Sequence, residues 1–157
     1  MVKVMKPNCP IVISIAVRSG RIAYVLFDGD ELKAWAVSRK GSKNTRTATS
    51  VVSGWIAQFA PDVVIVEDYK TARRKGRNTK SIIRAIERVA RKTSAGVCKV
   101  DRKQMFKNNI DEAKQFGEKF PELKAWVPKK PRLWESEPRN IIYFEALAIA
   151  QQALSKK

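Results

Sequence analysis

Val63-Val64-Ile65-Val66-Glu67 (VVIVE, residues 63–67) is the most continuously apolar strand-like stretch of the chain, and it ends in an acid. Four β-branched residues without polar alternation predict a strand covered on both faces, as in the parallel part of an α/β sheet. Upstream, residues 11–17 (IVISIAV) have the same character. After the turn Arg18-Ser19-Gly20-Arg21, residues 22–27 form a second strand, and Asp28-Gly29-Asp30 is a hairpin signal. In residues 32–37, Leu32, Ala34 and Ala36 alternate with Lys33, Trp35 and Val37, giving a third strand and completing an antiparallel meander. A helix with a threonine cap around residues 47–49 would carry Val51, Val52, Trp55, Ile56 and Phe59 and stop at Pro61-Asp62. It is long enough to cross over and lay VVIVE parallel to the first strand.

Downstream, residues 68–76 read as a basic loop. A helix from 79 to about 91 has an apolar stripe (Ile82, Ile86, Val89, Ala90) and a basic one (Lys80, Arg84, Arg88, Arg91). Gly96–Val100 is a last short strand. Residues 102–120 suit an amphipathic helix through Met105, Phe106, Ile110, Ala113, Phe116 and Phe120. Residues 121–138, with four prolines and with Trp126 and Trp134, are irregular, and 139–154 form a helix apolar almost all round and therefore buried. There is no repeat, low-complexity tract or domain boundary. The order βββ-α-β-α-β-α-α predicts one α/β domain over residues 1–157, a mixed five-stranded sheet (three-strand meander plus two parallel strands) flanked by helices.

The 157 residues carry 32 Lys and Arg against 15 Asp and Glu, a net charge of +17, which points to a polyanionic partner. The absence of histidine excludes Ser-His-Asp and Cys-His hydrolases, HNH-type nucleases, HExxH metalloproteases and zinc deaminases. Cys9 and Cys98 are too few for a zinc site or a disulfide framework, which suits a reducing cytoplasm. The seven-residue apolar run before Arg18 is short for a signal peptide, and no stretch reaches the ~20 apolar residues of a membrane helix. Any chemistry must rest on carboxylates, lysines or hydroxyls.

Two carboxylates stand where an acid is costly. Glu67 ends VVIVE, and Glu145 is the only ionisable residue of the last helix between Arg139 and Lys156 apart from a tyrosine. Unpaired, a buried carboxylate costs several kcal/mol, and no Lys or Arg lies within one helical turn of Glu145. Either acid alone could be a partly exposed edge residue; two of them, on a central strand and a buried helix, favour a shared divalent cation. Pro61-Asp62 followed by Glu67-Asp68-Tyr69-Lys70 superficially matches a PD-(D/E)xK nuclease signature. Its two halves belong on neighbouring strands, whereas here they bracket a single strand.

The meander, the crossover helix, the strand ending in Glu (VEDY) and a last helix reading FEALAIA together resemble the RuvC-like Holliday-junction resolvases of the RNase H-like superfamily. The resemblance implies an RNase H-like fold, a homodimer, and Mg²⁺- or Mn²⁺-dependent cleavage of four-way DNA junctions. It aligns Glu67 with the strand-four acid and Glu145 with the second acid of the family's D-x-x-D-A-L-A pattern. The first helix acid falls on Ile142, and the strand-one Asp falls on Ala16, about eight residues before the second-strand Tyr24. Glu67 and Glu145 would then be the catalytic and metal-binding pair, with the form as written impaired through Ala16, whether by an engineered Asp→Ala exchange or a natural loss. A non-catalytic DNA- or RNA-binding protein of the same fold is the alternative. Asp28 and Asp30 belong at the opposite end of the sheet, Ser14 is one step too deep, and Glu135 or Glu137 would have to fold inward to complete the site.

Residues 70–107 hold fourteen Lys and Arg against Glu87 and Asp101, so +12 of the +17 lies in one segment. Lys70, Arg73, Arg74, Lys75, Arg77 and Lys80 follow Glu67 directly, and Arg84 and Arg88 continue the run. Solvated faces normally mix signs, and this one does not, so it reads as a DNA-contacting surface that recognises shape and phosphates. Tyr69 is either a base-stacking residue or a core tyrosine. The basic stretch Pro128-Lys129-Lys130-Pro131-Arg132 and its tryptophans either cover the last helix or touch DNA, and the apolar face of the 79–91 helix is a candidate dimer interface.

Overall fold

Side-chain alternation sets the layers. In a computed structural model describing residues 10–18, 21–39, 44–72, 75–102, 109–128 and 141–154, the meander is β1 (Ile11–Arg18), β2 (Arg21–Asp28) and β3 (Glu31–Ser38). Gly29 turns the β2–β3 hairpin at a φ of 62°, where a Cβ is disfavoured. The chain continues through α1 (Thr45–Phe59), β4 (Val63–Glu67), α2 (Arg77–Arg91), β5 (Gly96–Val100), α3 (Asn109–Lys119), a 3₁₀ turn (Pro121–Trp126) and α4 (Ile141–Leu154). The sheet order is β3-β2-β1-β4-β5. β1 pairs antiparallel with β2 and parallel with β4, and β4 pairs parallel with β5, as the sequence predicts.

Ile13, Ile15 and Val17 of β1 point to the side covered by α1 and α2, where they pack with Val52, Ile56, Ile82, Ile83 and Ile86. Val12 and Ala16 point to the other side, against α4 and α3. Residues 141–150 of α4 are all buried, which is why that helix is apolar all round.

The structure corrects several local expectations. Asn44, not a threonine, caps α1: its side chain accepts from Thr47 N at 2.8 Å. α1 does stop at Pro61 as expected: Phe59 is its last residue and Ala60 caps it in the left-handed region at φ 45°. α2 begins at Arg77, and its buried face is Ile82, Ile83, Ile86 and Ala90, while Val89 is only half-buried. That face packs into the core, so it does not serve as the dimer interface the sequence offered. Within the described residues the expected 102–120 helix is seen as α3 over Asn109–Lys119, and the segment after it coils into the 3₁₀ turn. Met105, Phe106, Trp134, Glu135 and Glu137 lie outside the described residues.

Candidate functional site

The parallel register places Ser14 beside Ile65 and Ile15 beside Val66, so the strand ends carrying Ala16 and Glu67 run side by side. Ala16 is buried facing α4. Ser14, one step deeper on the same face, donates its hydroxyl to the Ala146 carbonyl of α4 at 2.7 Å and so seats the helix on the strand. Asp28 pairs with Ile11, at the far end of β1. One residue before Ala146, Glu145 is 1% exposed. The sequence-predicted pair Glu67 and Glu145 therefore meets at the carboxyl ends of β1 and β4, next to position 16.

The cation between them comes from the chain. Lys75 Nζ donates to Glu145 Oε2 and, at 2.8 Å, to the Val17 carbonyl. It also lies 2.8 Å from Glu67 Oε1, a buried oxygen whose compensation is this ion contact and not an aligned hydrogen bond. Arg18 Nη1 donates to the other Glu145 oxygen, Oε1. Burial pushes the Glu145 carboxyl up, but Lys75, Arg18 and Arg102 outweigh it and hold the group below the ordinary carboxylate range.

The loop after β4 is folded to deliver Lys75. Asp68 N donates to the Val100 carbonyl at 2.7 Å, Asp68 Oδ1 accepts from Lys70 N at 3.0 Å, and Lys75 N closes a turn onto Ala72 O at 3.1 Å, with Ala72 buried beneath. The Lys75 side chain is consequently 16% exposed. This corrects its assignment to the DNA-contacting set: it points into the carboxylates.

The residues present do not fit the divalent metal pair that the resemblance implies. Position 16 brings a methyl group and position 142 a buried isoleucine, and an ammonium already bridges the two acids. Among the described residues no group of three or more His, Cys, Asp or Glu side chains could hold a metal ion. Asp62 and Asp68 sit at opposite ends of β4, and Asp62 Oδ2 accepts from Ile11 N at 2.8 Å, so the PD-(D/E)xK arrangement is not formed.

Sequence reasoning missed Arg18, the inward placement of Lys75 and a third buried acid, Glu112, which pairs with Arg102 at 2.5 Å. For Arg18 a signal existed, since strand alternation puts it on the same face as Ala16. For Lys75 none did, because a run of basic residues does not disclose which one turns inward.

Of the remaining basic residues, Lys70, Arg77, Arg84 and Arg88 are exposed and Lys80 is half-exposed. Arg91 is exposed and paired with Glu87 at 2.9 Å. Tyr69 is half-buried, with the Arg84 guanidinium 5.6 Å from its ring centre. Together with Arg77, Lys80 and Ser81 these two line a hollow of 280 Å³. Arg73 and Arg74, like Lys129, Lys130 and Arg132, fall outside the described residues. No described helix is long and apolar enough to cross a membrane.

No family model and no curated protein sequence matches the chain. Solved structures do. Thermus thermophilus RuvC in complex with a Holliday junction substrate is similar at a TM-score of 0.56 and 15% identity, over 91% of each chain. Fowlpox virus resolvase, in a complex with Holliday junction DNA, is similar at 0.54 and 21%, over 92% of this chain and 97% of that one. The yeast mitochondrial Holliday junction resolvase is similar at 0.53 and 11%, over 95% and 82%. The chain has the RNase H-like fold of the RuvC-like resolvases.

Proposed function

We propose that the chain is a structure-selective DNA endonuclease of the type that resolves four-way junctions, in a form that, with Ala16 in place, holds the junction without cutting it. The observation that carries this reading is the convergence of Glu67, Glu145 and the position-16 side chain at one end of the sheet, immediately before the basic loop and α2. The fold it shares with proteins solved on Holliday junction DNA supports it. In this reading Lys70, Lys80, Arg84 and Arg88, together with Arg73, Arg74 and Arg77, grip phosphates, so recognition is of shape more than of sequence. Two copies of the chain would match the two-fold symmetry of a four-way junction.

Cleavage by such an enzyme, in Mg²⁺ or Mn²⁺, would require an oxygen ligand at position 16 and release of the Lys75 ammonium from the two acids. A second reading, non-catalytic binding of branched nucleic acid, is favoured by one observation, the Lys75 ammonium between the two acids. The readings separate in an assay of Ala16→Asp, alone and combined with Lys75→Met, on a four-way junction with Mg²⁺. Nicks near the branch point in either variant establish the endonuclease. Tight junction binding without cleavage in both, and in flap and RNA/DNA hybrid controls, leaves the binding protein. Equal affinity for junction and linear duplex would remove the junction assignment altogether.

A further inference from the structure

The ion cluster at the carboxyl ends of β1 and β4 is balanced in charge without a ligand. Glu67 and Glu145 bring two negative charges, and Lys75 and Arg18 bring two positive ones. Both Glu145 oxygens are taken, Oε1 by Arg18 and Oε2 by Lys75. The three N–H bonds of an ammonium here have three oxygens within reach, on Glu145 of α4, Glu67 of β4 and the Val17 carbonyl of β1. A divalent ion entering between the acids would have to expel Nζ from all three. It would then sit beside the Arg18 guanidinium in a place poorly reached by water, where like charges repel strongly. Mg²⁺ is further disfavoured because it demands a near-octahedral oxygen set and gives up water reluctantly, while position 16 supplies no oxygen.

We infer that Lys75 and Arg18 are the resident cations of this centre, and that the chain engages branched DNA with no divalent metal bound between Glu67 and Glu145. The second half rests on the DNA-binding reading above; the first concerns the chain alone. The departure from a metal centre spans four positions, 16, 18, 75 and 142, and an exchange at position 16 alone does not account for it.

Mn²⁺ is the probe. Free Mn²⁺ is followed by electron paramagnetic resonance during titration of the unaltered chain, of Glu67→Gln and of Lys75→Met, each with and without a four-way junction. The unaltered chain should take up no Mn²⁺ that Glu67→Gln abolishes, its melting temperature should not respond to Mn²⁺, and its junction binding should persist in EDTA. Lys75→Met, with the ammonium gone, should gain Mn²⁺ uptake and be stabilised by it.

Uptake by the unaltered chain that depends on Glu67 overturns the inference, whether it occurs freely or only on the junction. So does loss of junction binding in EDTA that Mn²⁺ restores, or a folded Lys75→Met that still takes up none. If Lys75→Met does not fold, the unaltered chain and Glu67→Gln decide between the same outcomes. Failure of the DNA-binding reading would be visible separately, as no junction preference in any buffer, and leaves the titration of the free chain intact.

Discussion

With 1% of its side chain exposed, Glu145 carries a charge that solvent hardly reaches. Its ionisation is set by a contest between burial, which favours the neutral acid, and Lys75, Arg18 and Arg102, which favour the anion and win. The sign of the pH dependence follows. Because the folded pKa lies below the ordinary 4.5, the stabilisation from this carboxylate is complete above about pH 4.5 and is lost as pH falls through the lower folded value. Acid unfolding followed by circular dichroism should therefore show Glu145→Gln less stable than the unaltered chain at neutral pH, with the gap closing on acidification. Lys75 is the complementary case. Lys75→Met removes the partner shared by two buried carboxylates, and with Arg18 still on Glu145 the cost should be about 3 kcal/mol, near the low end for a broken buried ion pair. Adding Glu145→Gln should recover part of that loss, giving a coupling of ~1–3 kcal/mol in a urea double-mutant cycle; additive losses would mean that the two side chains do not interact.

At the scale of elements, the strands were legible because a period of two and a period near 3.6 leave different marks on composition. VVIVE, IVISIAV and the Asp28-Gly29-Asp30 turn all became what their patterns dictate. The length of the crossover allowed β4 to lie parallel to β1, and that pairing, which the family resemblance also implied, brings position 16 and Glu67 together. What was not legible lies in directions that periodicity does not encode. Asn44 was hidden as a cap behind three nearby threonines. The choice of Ile83 over Val89 for the buried face of α2 depends on packing against α1 and the sheet, a tertiary matter. The inward turn of Lys75 depends on a loop conformation built from Asp68 and Ala72, neither of which announces a lysine seven or three residues later. The join between α3 and the following 3₁₀ turn adds one more contact that only the structure discloses. A Cβ on Gly117 would come within 2.4 Å of Val127 Cγ2, so Gly117→Ala should destabilise by about 1–3 kcal/mol despite the better helix propensity of alanine. Gly117→Ala combined with Val127→Ala should be less damaged in thermal melts than the two single losses added together; an unaltered melting temperature for Gly117→Ala alone would refute the close contact.

Over the whole molecule, the +17 charge is unevenly spent. Of the cations in residues 70–107, Lys75 is shared between Glu67 and Glu145, Arg102 is paired with Glu112, and Arg91 is paired with Glu87. Among the described residues of the loop and helix that leave the carboxylate cluster, Lys70, Arg77, Arg84 and Arg88 are exposed, and in the proposed DNA-binding reading they face phosphates. A cation that contacts a phosphate releases a counterion, so its removal should flatten the plot of log affinity against log salt by about 0.9 on duplex arms. A cation already satisfied by buried acids releases none. Arg84→Ala and Arg88→Ala should each therefore weaken junction binding at low salt and reduce the salt slope by about 0.9, with the two reductions adding. Lys75→Met, if it folds, should leave that slope unchanged even though it alters charge by the same amount. Fluorescence anisotropy with a labelled four-way junction across a salt series measures all three. The contrast depends on location and not on charge count: equal slope changes for Lys75→Met and Arg84→Ala would mean that Lys75 faces DNA, and no change for Arg84→Ala and Arg88→Ala would move the DNA-contacting surface off α2.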